Sequence, residues 1–420
     1  MATQATAKRV SQAVGTAARR LVQSYKRDDA SRLLTVNWND GSASKFAYAW
    51  LRDNAPEPHT YHFGKNNRAR ILLMQDFDPK IQPANIRVDN GNLQVDWDQS
   101  GEFFATYSAD WLSARDLTSG EQRANRAQYY RIPSRSWGSE NEEILNDPCD
   151  WNRFLTDDRY MRDKLVKFLS FGLMLVKNVP KQENELKRLE KRLGYILPSQ
   201  YGKADDPSIF QVYSAPDPSN LHGTARALGL HTDFPQMTTP PDVQILHAVR
   251  AAGKGGDSEF CDGFRVAEHM RDETPELYEL LCKHKIEFLD WGRQNFKFQF
   301  ASRWHTIEFD DDGYMRAIFF NNQVRSWYND APPQDQPKLF DALKTFHNYC
   351  YQPRNMLRYK LNAGDMVWFA NNRVMHGRAA FQMDAESSRL LEGAYLSFDL
   401  LFSTVRSITE QLAENKHAAL

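Results

Sequence analysis

Leu228-Gly-Leu-His-Thr-Asp-Phe-Pro235 sets a histidine and an aspartate one residue apart in an otherwise apolar run. In an extended chain residues i and i+2 point to one side, so His231 and Asp233 offer an imidazole and a carboxylate to the same point. A further histidine, His376, lies far along the chain in Val374-Met-His376-Gly-Arg378. Two histidines and one carboxylate on one face of a metal leave three positions open, which is the ligand set of non-haem Fe(II) oxygenases. Two open positions suit the carboxylate and keto oxygen of 2-oxoglutarate, and the third suits O₂. His-x-Asp alone recurs by chance, so the surroundings must carry the weight.

Outward from the motif, the apolar strand Val243-Gln-Ile-Leu-His247 follows within a few residues, and Gly364-Asp-Met-Val-Trp-Phe369 reads as a turn and strand delivering His376. Arg389 comes next, in Ser387-Ser-Arg-Leu-Leu-Glu-Gly-Ala-Tyr395. A planar guanidinium pairs a carboxylate bidentately and keeps its charge, which suits the distal carboxylate of 2-oxoglutarate. Strands are expected at 243–249, 286–289, 306–309, 316–320, 366–369 and 391–398, with helices at 150–171, 182–193, 275–285 and 337–351. Many non-sequential strands with helices outside predict a mainly β fold with flanking helices, a jelly roll over residues 145–410.

Residues 28–127 read as a small β-rich N-terminal domain, with strands at 33–38, 44–51, 70–73, 86–88 and 93–97. Asn39-Asp-Gly41 and Asp89-Asn-Gly-Asn92 supply hairpin turns. A polar stretch, Gln128 to Asp147, reads as a linker. Residues 1–27 hold six Lys or Arg and no acid, and on a helix Val10, Val14, Ala17, Ala18, Leu21 and Tyr25 share one face. This composition predicts a mitochondrial targeting segment and a matrix location; the alternative is a cytoplasmic protein with an N-terminal helix or frayed tail.

The net charge of −1 gives no reason to expect a nucleic acid partner, and without an apolar run of membrane-spanning length no membrane insertion is expected. Cys149, Cys261, Cys282 and Cys350 show no ligand spacing and read as small buried hydrophobes. Trp291 and Trp327 read as core or as the wall of a substrate pocket.

Several segments together resemble the γ-butyrobetaine and trimethyllysine dioxygenase family: Trp50-Leu-Arg-Asp-Asn54, Leu230-His-Thr-Asp-Phe-Pro235, Gly255-Gly-Asp-Ser-Glu259 with Asp262-Gly-Phe264, Phe320-Asn-Asn322, Gly364-Asp365, His376-Gly-Arg378 and Arg389-Leu-Leu-Glu-Gly-Ala-Tyr395. The resemblance implies a double-stranded β-helix catalytic domain, Fe(II), 2-oxoglutarate with ascorbate in support, O₂, a small-molecule substrate and a homodimer. It carries His231, Asp233 and His376 onto the iron ligands, Arg389 onto the 2-oxoglutarate anchor, and Ser258 onto a hydroxyl near the co-substrate. It carries Asn220, Phe210, Phe234, Tyr395 and Asn322 onto substrate positions. The implied reaction hydroxylates γ-butyrobetaine to L-carnitine, with trimethyllysine or another small zwitterion as the alternative.

Two departures qualify this. Animal γ-butyrobetaine dioxygenases hold a structural zinc through three cysteines and a histidine, where this chain has Ala55, Glu57, Thr60 and Phe103, so no structural zinc is expected. The family's aromatic cage positions fall on Phe210, Gly223 and Phe234, usually Trp, Tyr and Tyr, so the cage is thinner or rebuilt with Tyr201 or Tyr213. Rival readings are a metal-free scaffold, which Arg389 and the triad argue against, and a zinc hydrolase, which lacks an evident general base.

Overall fold

The computed structural model describes residues 20–64, 68–100, 102–203, 205–213, 225–251, 253–293, 296–382 and 389–418. Contacts divide the chain into two compact units, Met1–Arg131 and Ile132–Leu420. No helix among the described residues is long and apolar enough to cross a membrane.

In the first unit, the strands Val22–Asp28, Leu33–Trp38 and Ala43–Ala47 form one antiparallel sheet, and Asn85–Asp89, Asn92–Asp96 and Phe104–Tyr107 form another. Alternation puts Leu34, Val36, Trp38, Leu93 and Val95 into one core. Asn90 and Gly91 both have positive φ, 47° and 75°, the backbone that a two-residue hairpin turn needs.

Two expectations change here. Residues 22–28 are a strand, so the amphipathic helix expected through Tyr25 does not reach that far: Val22 pairs with Trp38 and the Tyr25 hydroxyl donates to the Ile86 carbonyl at 2.7 Å. Residues 1–19 lie outside the described residues. The strand expected to Leu51 stops at Ala47, because Tyr48 and Leu51, three apart, bury the same face of the helix Tyr48–Asp53.

The second unit holds a six-stranded and a four-stranded sheet. The first runs in the order Phe210–Tyr213, Leu390–Leu396, Val243–Arg250, Met366–Ala370, Leu173–Lys177, Cys149–Asp150; the second runs Leu228–His231, Val374–Arg378, Ser258–Asp262, Met356–Tyr359. Period-2 alternation assigns each strand two jobs. Leu173, Leu175, Val367 and Phe369 meet Phe260, Leu357 and Val374 of the other sheet, giving the sandwich core. Met174, Val176, Met366 and Trp368 turn outward under the helices Trp151–Thr156, Asp158–Phe171 and Phe398–Ala418. On the far side, Cys261 and Met375 pack beneath the helices Gly263–Glu273, Pro275–Lys283 and Gln336–Cys350.

The single helix expected over 150–171 is two, because the Asp157 side chain accepts from the Tyr160 N–H at 2.9 Å and caps a second helix. The helices Gly263–Glu273 and Phe398–Ala418 escape the sequence reading, and the helix Gly120–Tyr130 runs into the stretch read as linker. Cys149, Cys261 and Cys350 are buried and Cys282 is half-buried. Trp291 and Trp327 are 74% and 87% exposed, so neither is core.

Candidate metal and co-substrate site

His231 ends the first strand of the four-stranded sheet, and its cross-strand partner is His376. Close approach of these strands depends on Gly377, where a Cβ would meet the Leu228 carbonyl oxygen at 2.6 Å. Thr232, between the two polar residues of the motif, points the other way and is anchored there. Its N–H donates to the Phe320 carbonyl at 2.8 Å, its hydroxyl accepts from the Phe320 N–H at 3.1 Å, and its carbonyl accepts from Asn321 Nδ2 at 3.1 Å. Fixing Thr232 inward fixes His231 and Asp233 on the opposite side.

The ligand atoms of His231, Asp233 and His376 all lie within 4.8 Å of one another. His231 Nε2 is 3.2 Å and His376 Nε2 3.8 Å from Asp233 Oδ1. A facial set around a metal with bonds of about 2.1 Å has edges of about 3 Å, so a small closure suffices. Each Nδ1 faces a carbonyl, Gly229 O at 2.8 Å for His231 and Val374 O at 3.3 Å for His376. Carbonyls only accept, so Nδ1 carries the proton in both rings and Nε2 keeps its lone pair for a metal. The donor set is mixed imidazole and carboxylate, which fits iron.

Asp233 is held from three sides. Asn371, fully buried in the turn between the Met366–Ala370 and Val374–Arg378 strands, accepts from the Asp233 N–H at 2.6 Å and donates to the Asp233 carbonyl at 2.8 Å. The Tyr395 hydroxyl donates to Asp233 Oδ2 at 2.8 Å, leaving Oδ1 toward the imidazoles. Burial first, and the Asp233 charge second, push the Tyr395 hydroxyl well above its ordinary range, so it stays a donor. Sequence reasoning missed Asn371, because Asn in an Asn-Asn pair between strands reads as turn chemistry.

Arg389 is 8% exposed and makes no ion pair among the described residues; its guanidinium lies 5.7 Å from the Phe381 ring centroid. Burial pulls it down to about 9, and the like charge of Arg378 adds to the effect. A buried cation beside another cation calls for an anion, and the distal carboxylate of 2-oxoglutarate is of that kind. Ser258 is half-buried and pairs across strands with Arg378.

Residues 135–395 match the family described as taurine catabolism dioxygenase TauD, TfdA family, and residues 25–113 match the γ-butyrobetaine hydroxylase-like N-terminal family. The chain belongs to the TauD/TfdA dioxygenase family. Within that family it is 30% identical to γ-butyrobetaine dioxygenase of Pongo abelii, covering 94% of this chain and 98% of the relative. Identity to γ-butyrobetaine dioxygenase of Pseudomonas sp. (strain AK-1) is 32%, covering 89% and 92%. Trimethyllysine dioxygenase, mitochondrial, of Bos taurus is 27% identical, covering 91% and 89%. The protein is an Fe(II)- and 2-oxoglutarate-dependent dioxygenase acting with O₂ on a small molecule.

In this TauD/TfdA chain an aromatic cluster stands on the triad. Phe210 stacks on Tyr395 at 5.1 Å between centroids, Phe234 meets Tyr395 edge-on at 5.0 Å, and Tyr201 stacks on Phe234 at 5.8 Å. Gly393 lets Phe210 lie across its strand, since a Cβ there would meet Phe210 Cζ at 2.0 Å. Phe234 has φ of 58°, a left-handed backbone costly for an aromatic residue and held beside the Asp233 carboxylate. Of the two tyrosines considered for the cage, Tyr201 is in this cluster, whereas Tyr213 is 57% exposed and outside it. Asn322 is exposed and accepts from Arg325; its neighbour Asn321 is the one tied to the motif. Asn220 and Gly223 lie outside the described residues.

Proposed function

We propose that His231, Asp233 and His376 hold Fe(II), that Arg389 binds the distal carboxylate of 2-oxoglutarate with Ser258 nearby, and that the chain hydroxylates γ-butyrobetaine to L-carnitine. The observation that carries the substrate class is the cluster of Phe210, Phe234, Tyr395 and Tyr201 joined to Asp233 through the Tyr395 hydroxyl. Aromatic faces attract a quaternary ammonium group, each contact being worth about 0.5–2 kcal/mol. The two-sheet sandwich is read as the double-stranded β-helix of such enzymes.

When bound, Fe(II) and 2-oxoglutarate supply the oxidising chemistry: one O₂ is consumed, a substrate C–H becomes C–OH, and succinate and CO₂ leave. The chain's residues position the partners. Arg389 neutralises and orients the far carboxylate, which limits the co-substrate to one pose. Tyr395 holds Asp233 in a single orientation while its ring forms part of the substrate wall.

A second reading, trimethyllysine or another small zwitterion, is favoured by Phe210 and Phe234 where the resemblance leads one to expect Trp and Tyr. Residues 1–19, which precede the strand Val22–Asp28 and hold Lys8, Arg9 and Arg19 but no acid, support a mitochondrial matrix destination, and a homodimer is the proposed assembly.

Succinate release with γ-butyrobetaine, trimethyllysine and their unmethylated analogues tests the substrate. Coupling only to non-quaternary compounds would refute the carnitine reading. Anaerobic titration with Fe(II) and 2-oxoglutarate tests the site. The visible metal-to-ligand charge-transfer band is expected in wild type and lost in His376→Ala; its absence in wild type would refute the iron assignment.

A further inference from the structure

Asp290 lies in the strand Lys285–Gly292, outside every segment that the family resemblance uses. Its Oδ2 accepts from the Tyr201 hydroxyl at 2.9 Å and from Gln236 Nε2 at 3.4 Å. Among the described residues no Lys, Arg or His pairs with this half-buried carboxylate. Gln236 is 2% exposed, and its side-chain oxygen has no hydrogen-bond partner among the described residues. A continuous path runs from Asp290 to the triad: Tyr201 stacks on Phe234, Phe234 meets Tyr395 edge-on, and Tyr395 donates to Asp233. Phe298 closes the other side, edge-on to Tyr201 at 6.4 Å.

We propose that Asp290 is a specificity-determining residue, the fixed anion at the hydroxyl edge of Tyr201 that recognises the cationic end of the substrate beside the stacked Tyr201–Phe234 pair. This rests on the reading that the substrate is a small carboxylate carrying an ammonium group. Aromatic quadrupoles alone attract a cation weakly, and two of the rings here are Phe. A carboxylate without a cation of its own adds full Coulombic attraction in surroundings that screen less than water. Tyr201 has a positioning role: donating its hydroxyl to Asp290 orients both the ring and the charge. Burial first, then the charge of Asp290, push the Tyr201 hydroxyl upward, so it remains protonated and donating.

The test compares γ-butyrobetaine with its uncharged carbon isostere, 5,5-dimethylhexanoate, which has the same shape and carboxylate. Binding is measured by calorimetry on the full chain loaded with Mn(II) and 2-oxoglutarate, so turnover is not needed. Wild type is expected to prefer the betaine by about tenfold or more, and Asp290→Asn to bring the ratio to within about threefold of parity by weakening only the betaine. Asp290→Glu, keeping the charge, is expected to retain most of the preference. Asp290→Ser is made in parallel, so that a folding defect in one variant leaves the ratio readable in the other. A wild-type ratio in both neutral variants overturns the role of Asp290 and leaves the substrate class standing. Equal binding of betaine and isostere by wild type overturns both together.

Discussion

Arg389→Met should move two quantities in opposite directions. In the wild type a guanidinium 8% exposed, near the like charge of Arg378, has no carboxylate partner among the described residues. Removing that charge relieves a desolvation cost on the order of a few kcal/mol, and methionine fills the space with a flexible apolar chain. The ligand-free protein should therefore melt higher, by about 2 °C or more, since 1 kcal/mol moves Tm by roughly 2–4 °C in domains approaching this size. On the proposed anchor role of Arg389, the co-substrate at the same time loses the partner of its distal carboxylate. Truncating one member of a buried, hydrogen-bonded charge pair costs about 2–5 kcal/mol, or roughly 30-fold to a few thousand-fold in affinity. At a concentration of about 100 Kd, wild type gains about 2.7 kcal/mol from 2-oxoglutarate, which the variant forfeits. Differential scanning calorimetry with and without 2-oxoglutarate reads both effects in the Mn(II) form. A variant that keeps the ligand-induced shift refutes the anchor role, and one that melts lower without ligand refutes the claim that the charge is a cost.

A guanidinium ordinarily keeps its charge, but burial of this one makes it titratable and predicts a pH dependence for co-substrate binding. Its free value of about 9 lies below its ordinary value, and a bound carboxylate raises it again, so binding takes up a proton above about pH 9. Affinity for 2-oxoglutarate should be flat between about pH 7 and 8 and weaken as pH rises through 9; a flat profile to about pH 10 counts against it. Tyr395→Phe removes the bond to Asp233 Oδ2 but keeps the ring. Metal affinity by Mn(II) electron paramagnetic resonance should drop about tenfold, and an unchanged value would mean that the hydroxyl does not orient the ligand. Asn371→Ala strands the Asp233 N–H and the carbonyls of Asp233 and Pro241, and urea unfolding should show a loss of about 2–4 kcal/mol; less than about 1 would refute the clamp. His247 is fully buried and its pKa is pushed down by burial, so the unfolded chain gains the proton first as pH falls. Stability should decline below about pH 6.5, and His247→Gln should reduce that slope in urea titrations at pH 5.5 to 7.5.

Much of the candidate site could be read from the linear chain because its chemistry depends on residue types at local spacing. His-x-Asp gives a shared side through strand alternation alone, and the apolar runs 243–249, 366–369 and 391–398 marked strands later seen at Val243–Arg250, Met366–Ala370 and Leu390–Leu396. The misses have equally local causes. Tyr48 and Leu51 are compatible with a strand until packing selects helical spacing, and Asp157 looks like any polar residue until its side chain caps a helix. Asp290 carried no signal, since an acid in a mixed strand is ordinary until Tyr201 arrives from a distant segment.

The sequence by itself determined which groups could bind a metal and a dicarboxylate: His231, Asp233, His376 and Arg389, each defined by its own functional group. Tertiary structure alone decided their company. Pairing of residue 231 with 376 through Gly377, the clamp of Asn371 on Asp233, and the stacking of Tyr201, Phe234, Tyr395 and Phe210 all join residues far apart in the chain. Side-chain chemistry is written residue by residue, whereas register, burial and cross-strand contact arise only when the sheets close on a common core.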